Sequence, residues 1–323
     1  MEQLDAPLLQ AEERTLANDV LDGLTKPFKE LAPKHLYDAR GSELFERITD
    51  QPEYYPTRTE LAILRAGAAE LVAVTGAGEL VELGAGASLK ARVLLDAMRD
   101  AGTLRRYLPL DVSEAVVQDA ARALAADHPE LEVRGVVGDF ERHLDHVPRE
   151  GDTPRLVALF GGTIGNFPPG TRRTVLAKIA TLLEDGDRLL LGTDLVKDPA
   201  IIEAAYNDSA GVTAEFNRNM LAVLNHELGA DFRLGNFEHV AFYDRRHEWV
   251  EMRLRALRPC SVFLAGIDLR VEFAAGEELR TEISAKFTPE RVRDDLGASR
   301  LELERWLTDP GELFAISLSR LAV

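Results

Sequence analysis

Apolar and polar positions follow two regimes along this chain. Between residues 79 and 194, short apolar runs recur: 79–83, Tyr107 to Val112, Leu131 to Val137, Arg155 to Phe160 and Asp187 to Leu191. Each is too short for a helix and ends near a glycine or an aspartate, as in Leu83-Gly84, Leu110-Asp111 and Phe160-Gly161. The intervening stretches have helical period: Lys90 to Met98, a helix from Ser113, and about Thr171 to Leu183. Ser113 is an expected N-cap, since its hydroxyl can accept from an orphan amide of the first turn. A further helix, Arg58 to Val74, is closed by Thr75-Gly76. Buried strands alternating with helices predict a parallel sheet with right-handed crossovers.

After Lys197 the pattern changes. Residues 199–228 read as two helices and 236–286 as several strands. Val240 to Tyr243, Glu248 to Leu254 and Ile267 to Phe273 have the alternation of half-exposed antiparallel strands. Thr288-Pro289 starts a helix, and Leu301–Thr308 and Glu312–Ser319 form a final hairpin around Asp309-Pro310-Gly311. Residues 1–56 read as mostly helical, punctuated by Pro27, Pro33, Pro52 and Pro56. The expected division is therefore a doubly wound α/β domain over 57–197 and 287–323, with a second, α+β domain over 1–56 and 198–286.

Composition narrows the function. The chain has 323 residues, 46% of them hydrophobic and 29% charged, with a net charge of −17. That size and apolar content suffice for one large or two modest cores. The acidic balance argues against a nucleic-acid partner, whose phosphates need a basic surface. The single cysteine, Cys260, excludes an intrachain disulfide and a thiolate metal cluster. The start, Met1-Glu2-Gln3-Leu4-Asp5, lacks the basic and apolar regions of a signal peptide. No apolar run approaches the roughly 18 residues of a membrane span. A cytoplasmic protein, monomeric, without metal or membrane partner, is expected.

Ligands of doubly wound sheets lie beyond the carboxyl ends of the strands. Gly84-Ala85-Gly86 ends the first strand before a helix, so backbone N–H groups can approach a ligand closely. A dinucleotide fingerprint would place a third glycine three residues after Gly86. Leu89 stands there, and no role for its side chain follows. Glu82, two positions before Gly84, suits a ligand with an ammonium or ribose better than a pyrophosphate. This turn resembles the first motif of class I S-adenosylmethionine methyltransferases, although Ala85 and Ala87 replace more polar residues. Asp111, 25 residues after Gly86, has the spacing of a carboxylate that accepts both ribose hydroxyls. Asp139 can accept an adenine amino hydrogen, with Phe140 packing nearby. Gly161-Gly162 ends the fourth strand, where the transferring methyl would point. Lys90 can reach the cofactor carboxylate. Any one of these has a plain reading as a turn, cap or solvated residue; their order along the strands favours the cofactor site.

A more specific resemblance rests on longer segments. Gln51-Pro52-Glu53-Tyr54-Tyr55-Pro56-Thr57-Arg58, Gly161-Gly162-Thr163-Ile164-Gly165-Asn166-Phe167, Leu191 to Asp198, Ala214 to Asn219 and Thr281 to Phe287 resemble the histidine-specific methyltransferases of ergothioneine biosynthesis. The likeness runs from about residue 25 to the C-terminus. It implies a class I, Rossmann-like doubly wound sheet with a terminal antiparallel hairpin, plus an α+β substrate-binding insertion. The implied reaction is S-adenosylmethionine-dependent trimethylation of the α-amino group of L-histidine to hercynine, the first step of ergothioneine biosynthesis. Carried over residue by residue, it implies that Asn166 and Tyr206 bind the substrate carboxylate and Glu282 and Ser284 the imidazole. Tyr54 would also touch the substrate, Tyr37 and Phe45 would lie near the amine, and the Gly161 carbonyl would accept from it. Tyr37 is the candidate catalytic residue. Apart from the likeness these are ordinary residues: two strand positions, a turn asparagine and a helix tyrosine. A methyltransferase for another small amine or amino acid, or a non-catalytic binding module, remains open.

Other features read as structural. His143-Leu144-Asp145-His146 is expected to be a solvated loop rather than a metal site. His35, His226, His239 and His247 receive no role. Cys260 reads as buried, Trp249 and Trp306 as packing residues, and Glu277-Glu278 and Asp294-Asp295 as exposed acidic faces.

Overall fold

The computed structural model describes residues 16–86 and 88–322. Residues 1–15, Ala87 of the glycine turn and Val323 lie outside the described residues. The chain forms two compact units. Unit 1 comprises Met1–Tyr55 and Lys197–Ser284; unit 2 comprises Pro56–Val196 and Ala285–Val323.

Unit 1 begins with α1 (Leu16–Leu24), β1 (Lys29–Glu30), a 3-10 turn over Pro33–Leu36 and α2 (Ala39–Thr49). The region expected to be helical thus also contains a strand, whose partner lies some 250 residues further on. Asp38 caps α2 by accepting from Gly41 N–H at 2.7 Å. Gly41 is required there, since a β carbon would sit 1.7 Å from the Leu36 carbonyl oxygen.

Unit 2 follows with α3 (Pro56–Thr75), β2 (Glu79–Leu83), α4 (Leu89–Asp100), β3 (Arg106–Asp111), α5 (Glu114–Asp127), β4 (Glu132–Val133), β5 (Val136–Val137), β6 (Arg155–Leu159), α6 (Pro169–Ala180) and β7 (Arg188–Asp194). Ser113 caps α5, accepting from Val116 N–H at 3.4 Å. The single strand expected over 131–137 is instead two short strands, both parallel to β3 and broken at Arg134-Gly135. A β carbon on Gly135 would lie 2.2 Å from Val117 Cγ1, so α5 packs directly on backbone at the break.

The chain returns to unit 1 with α7 (Pro199–Tyr206), α8 (Val212–Leu228), β8 (Phe237–Asp244), β9 (Trp249–Ala256), β10 (Cys260–Leu264), β11 (Leu269–Phe273) and β12 (Glu278–Ala285). It closes in unit 2 with α9 (Pro289–Ala298), β13 (Leu301–Thr308) and β14 (Phe314–Leu321).

The unit 2 sheet runs β13-β14-β7-β6-β2-β3-β4, with β5 also on β3. Its β2, β3, β4, β5, β6 and β7 pairs are parallel, and β14 is antiparallel to both β7 and β13. This is the expected doubly wound sheet with a terminal hairpin. Pairing with β14 extends β7 past the expected Leu191 to Asp194, opposite Phe314. β2 is buried along its whole length, and its Leu80 joins Leu64, Leu94, Tyr107 and Phe314 in the core. At this scale the burial outweighs any single polar contact.

Unit 1 holds a sheet ordered β1-β12-β9-β8, with β1 parallel to β12 and β8 antiparallel to β9. β10 and β11 form a separate antiparallel ribbon; the alternation over Ile267 to Phe273 marks β11, whereas β10 is not among the expected strands. Ile267, read as a strand start, lies in a 3-10 turn that ends at Asp268 with φ +50°. Cys260 is half-buried rather than buried, because it opens the exposed ribbon. Trp249 is also half-buried, stacked on His247 at 4.5 Å. The acidic pairs are not plain exposed faces. Glu277 pairs with Lys29, Glu278 with Arg253 and Arg255, and the buried Asp295 with Arg172 at 2.6 Å and Arg173 at 3.1 Å.

Candidate active site

In unit 2 the candidate residues sit at the carboxyl ends of the parallel strands. Gly84 and Gly86 have φ of +76° and +48°, so each needs the left-handed freedom of glycine. A β carbon on either would meet nothing within 4 Å, so conformation, not packing, selects glycine here. The open space above this backbone is what a ligand would require. Asp111, at the end of β3, accepts from Gly86 N–H at 3.3 Å and from Ser113 N–H at 3.0 Å. Its carboxylate therefore shapes the turn as well as facing the strand end.

Glu82 is placed differently from the expectation of a ligand partner. It is buried beneath the turn and accepts from the Tyr107 hydroxyl, which lies 3.2 Å from Ser88 Oγ. Burial pushes its carboxyl up to about 8; the charges of Asp111 and Glu60 add to the rise, and the Tyr107 bond and Lys90 oppose it. Ser88 itself has φ +53°. The Glu82–Tyr107–Ser88 chain thus fastens a strained residue at the start of α4.

Asp139 accepts from Glu141 N–H at 2.8 Å, and its own N–H donates to His143 Nδ1 at 2.9 Å. His143 is therefore a structural acceptor inside this loop, not a merely solvated residue. Phe140 packs edge-on against Phe167, with centroids 6.1 Å apart. Gly161 and Gly162, at φ +73° and +67°, turn the chain into a 3-10 turn over Thr163–Asn166 that carries Asn166. Gly165 in that turn lies against the backbone of Ala285, 2.8 Å from its carbonyl oxygen to a built β carbon. Close by, the buried Lys286 pairs with Asp194 at 2.8 Å.

Lys90 is paired with Glu60 at 2.5 Å. Glu60, on the second turn of α3, is fully buried and accepts from Gly161 N–H at 2.9 and 3.1 Å. Sequence reasoning missed Glu60. In the helix expected from Arg58 it falls in the first turn, where an acidic residue is expected for the dipole alone, and its partner lies 101 positions away.

Unit 1 gathers a different set. Tyr37 meets Phe45 and Phe216 edge-on at 5.5 and 5.4 Å, and Phe45 meets Tyr54 at 6.1 Å. Phe216 was visible within a quoted segment but carried no assigned role. Asp38 holds the cluster's frame: its Oδ1 accepts from both Gly41 N–H and Asn219 Nδ2, joining the α2 N-terminus to α8.

Tyr206, the last residue of α7, donates to Ser284 Oγ at 2.7 Å. Glu282 and Ser284 alternate with Ile283 on β12, and all three are buried. Behind Tyr206 lies His239, another residue without a sequence-level role. Its Nε2 is 2.9 Å from the Tyr206 carbonyl, and its Nδ1 is 2.9 Å from Asn217 Nδ2. Asn217 Oδ1 in turn accepts from Thr281 Oγ1 at 2.6 Å. Because a carbonyl only accepts and an amide nitrogen only donates, this network assigns the Nε2–H tautomer. Burial, foremost, lowers the His239 pKa, holding the ring neutral.

Among the described residues no group of three histidine, cysteine or acidic side chains is placed to hold a metal ion. No helix among them is long and apolar enough to cross a membrane.

The family model described as histidine-specific methyltransferase, SAM-dependent, matches residues 16–321. The chain is 53% identical over 304 residues to a histidine N-alpha-methyltransferase of Mycolicibacterium smegmatis, covering 94% of both chains. It is 49% identical to a protein of the same name in Mycobacterium tuberculosis, again over 94% of each. Ergothioneine biosynthesis protein 1 of Neurospora crassa is 34% identical over 199 residues, which cover 60% of this chain and 22% of that protein.

Proposed function

The chain belongs to the SAM-dependent, histidine-specific methyltransferase family, and on that premise we propose that it methylates the α-amino group of L-histidine three times, giving hercynine for ergothioneine biosynthesis. The observation that carries this reading is a relationship at 53% identity across 94% of the chain to a protein named for that activity. S-adenosylmethionine is the methyl donor. Its ribose is assigned to Asp111, its adenine to Asp139 and Phe140, and its close backbone approach to Gly84 and Gly86. The open left-handed turn and the carboxylate braced beneath it suit that ligand.

The substrate carboxylate is assigned to Asn166 and Tyr206, and the imidazole to Glu282 and Ser284. A carboxylate can accept a ring N–H while a hydroxyl serves the other nitrogen, fixing tautomer and orientation. A substrate without the ring would forgo the charge-assisted bond from a ring N–H to Glu282, which gives discrimination. Tyr37, Phe45 and Tyr54 are assigned to the amine, with the Gly161 carbonyl accepting from it.

Each transfer is an in-line displacement: the bond from methyl carbon to sulfur breaks as the bond to nitrogen forms. The residues' task is positioning. The amine must be neutral to attack; an α-amine has a pKa on the order of 8, higher in a free amino acid, so a minor fraction is neutral near pH 7. Tyr37 accepts a hydrogen bond from the amine and helps pass its proton to water. The final product carries a fixed positive charge, which the aromatic faces of Tyr37, Phe45 and Tyr54 accommodate. The same reading takes the enzyme as a cytoplasmic monomer without nucleic-acid or membrane partners, in keeping with the net charge of −17. Light scattering at working concentration tests the monomer.

An amino-acid panel assayed with methyl-labelled donor tests the substrate. Label is expected in histidine alone; equal labelling of other amino acids or amines would replace histidine by a broader substrate class.

A further inference from the structure

We propose that Glu60 is a positioning residue of methyl transfer, clamping the Gly161 peptide and the Lys90 side chain to one another; this rests on the methyltransferase reading above. The carboxylate of Glu60 has no solvent exposure. Removing a carboxylate from water carries a large penalty, and an apolar side chain could fill the same space at less cost. What the carboxylate supplies is direction. One oxygen lies 2.9 Å and the other 3.1 Å from Gly161 N–H, and the Lys90 ammonium is at 2.5 Å.

The clamp joins two segments that reach the donor site separately. Gly161 follows β6, and its φ of +73° leaves the backbone several accessible turns. Holding its N–H orients the Phe160–Gly161 peptide that enters the turn, and so restrains the segment that carries the carbonyl assigned to the substrate amine. Lys90 is the second residue of α4, just after the Gly84–Gly86 turn assigned to the donor. Its ammonium stands 5.9 Å from the Phe160 ring centroid and 3.6 Å from the position of a β carbon built on Gly161. Lys90 thereby acts through Glu60 on the geometry of the strand end, and its remaining donors leave room for the contact with the cofactor carboxylate expected from the sequence.

Gly192 on β7 provides independent support. A β carbon there would lie 2.0 Å from Glu60 Oε1, so this position accommodates the carboxylate only as glycine. Gly192→Ala should therefore displace the clamp without touching Glu60, Lys90 or Gly161.

The test compares wild type with Glu60→Gln, Glu60→Ala and Gly192→Ala. Steady-state kinetics with histidine and S-adenosylmethionine give kcat and KM; titration calorimetry with S-adenosylhomocysteine gives donor-site affinity. Because misplacement by about 1 Å can cost on the order of 100-fold, Glu60→Ala is expected to lower kcat about 50-fold or more, with histidine KM within about threefold. Gly192→Ala should follow it, and Glu60→Gln, which keeps an acceptor for Gly161 but no charge for Lys90, should fall between. S-adenosylhomocysteine should bind about fivefold or more weakly to Glu60→Ala than to wild type. If Glu60→Ala does not fold, the near-isosteric Glu60→Gln decides. Wild-type kcat together with wild-type S-adenosylhomocysteine affinity in Glu60→Gln or in folded Glu60→Ala would overturn the proposal. Wild-type enzyme inert on histidine would instead contradict the function proposed above. The affinity comparison would then still judge Glu60.

Discussion

The two units build their candidate sites from opposite materials. Unit 2 uses charge and backbone: left-handed glycines at 84, 86, 161 and 162, and the carboxylates of Glu60, Glu82, Asp111 and Asp139. Unit 1 relies mainly on neutral bonds and rings, with the buried Glu282 as its one assigned carboxylate: the Tyr206–Ser284 hydroxyl pair, the His239–Asn217–Thr281 chain and the Tyr37–Phe45–Tyr54–Phe216 cluster. The contrast fits the proposed ligands. A donor with hydroxyls and an amino group calls for fixed acceptors. An amine that gains three methyl groups calls for a surface that tolerates growing bulk and a permanent cation.

That contrast can be broken by substitutions that act on one ligand and not the other. The largest effect is expected from Asp111→Ala. Losing two charge-assisted hydrogen bonds of ~1.5 kcal/mol each should weaken S-adenosylhomocysteine binding about 100-fold, roughly 2.7 kcal/mol. Histidine affinity should change little; calorimetry on each ligand separately would expose a cross effect. Glu282→Ala is expected to raise the histidine KM at least about tenfold, roughly 1.4 kcal/mol, leaving donor affinity intact. Wild-type histidine affinity by titration would remove Glu282 from the site. Tyr37→Phe is expected to slow turnover a few-fold, on the order of one hydrogen bond, with histidine binding largely retained. Unchanged turnover would deny its hydroxyl a role.

A separate effect concerns stability rather than either ligand, and its sign differs between the units. The Glu82 pKa is raised to about 8. Its contribution is therefore full below the unfolded value near 4.5 and is lost as pH rises toward 8, because the unfolded chain releases the proton first. Glu82→Gln should progressively gain melting temperature relative to wild type over that window. His239 is shifted down from 6.5. Its contribution is present above 6.5 and is lost as pH falls below it, since the unfolded chain takes up the proton first. Melting curves of Glu82→Gln parallel to wild type across pH 5–8 would contradict the placement of Glu82.

How much was legible in the sequence also differs between the units. The unit 2 strands were visible because a buried parallel strand writes itself as an apolar run with a glycine or aspartate at its end. The split at Arg134-Gly135 was not, since a strand broken by the packing of Val117 on backbone has the same residue pattern as an intact one. Glu60 was hidden for a related reason: its partners are a backbone N–H and a lysine on distant segments. In unit 1, residue type alone says little. Tyr206, Ser284, Asn217 and His239 are common residues whose meaning comes from hydrogen bonds between elements tens of residues apart. Only the resemblance of whole segments pointed to Tyr206, Glu282 and Ser284, and it gave no sign of His239.

Mass spectrometry of a reaction containing only the purified protein, L-histidine and S-adenosylmethionine tests the proposed activity most directly. The expected product is histidine heavier by three methyl groups, all on the α-nitrogen by fragmentation. An unshifted histidine, or methyl groups on the ring, would contradict it.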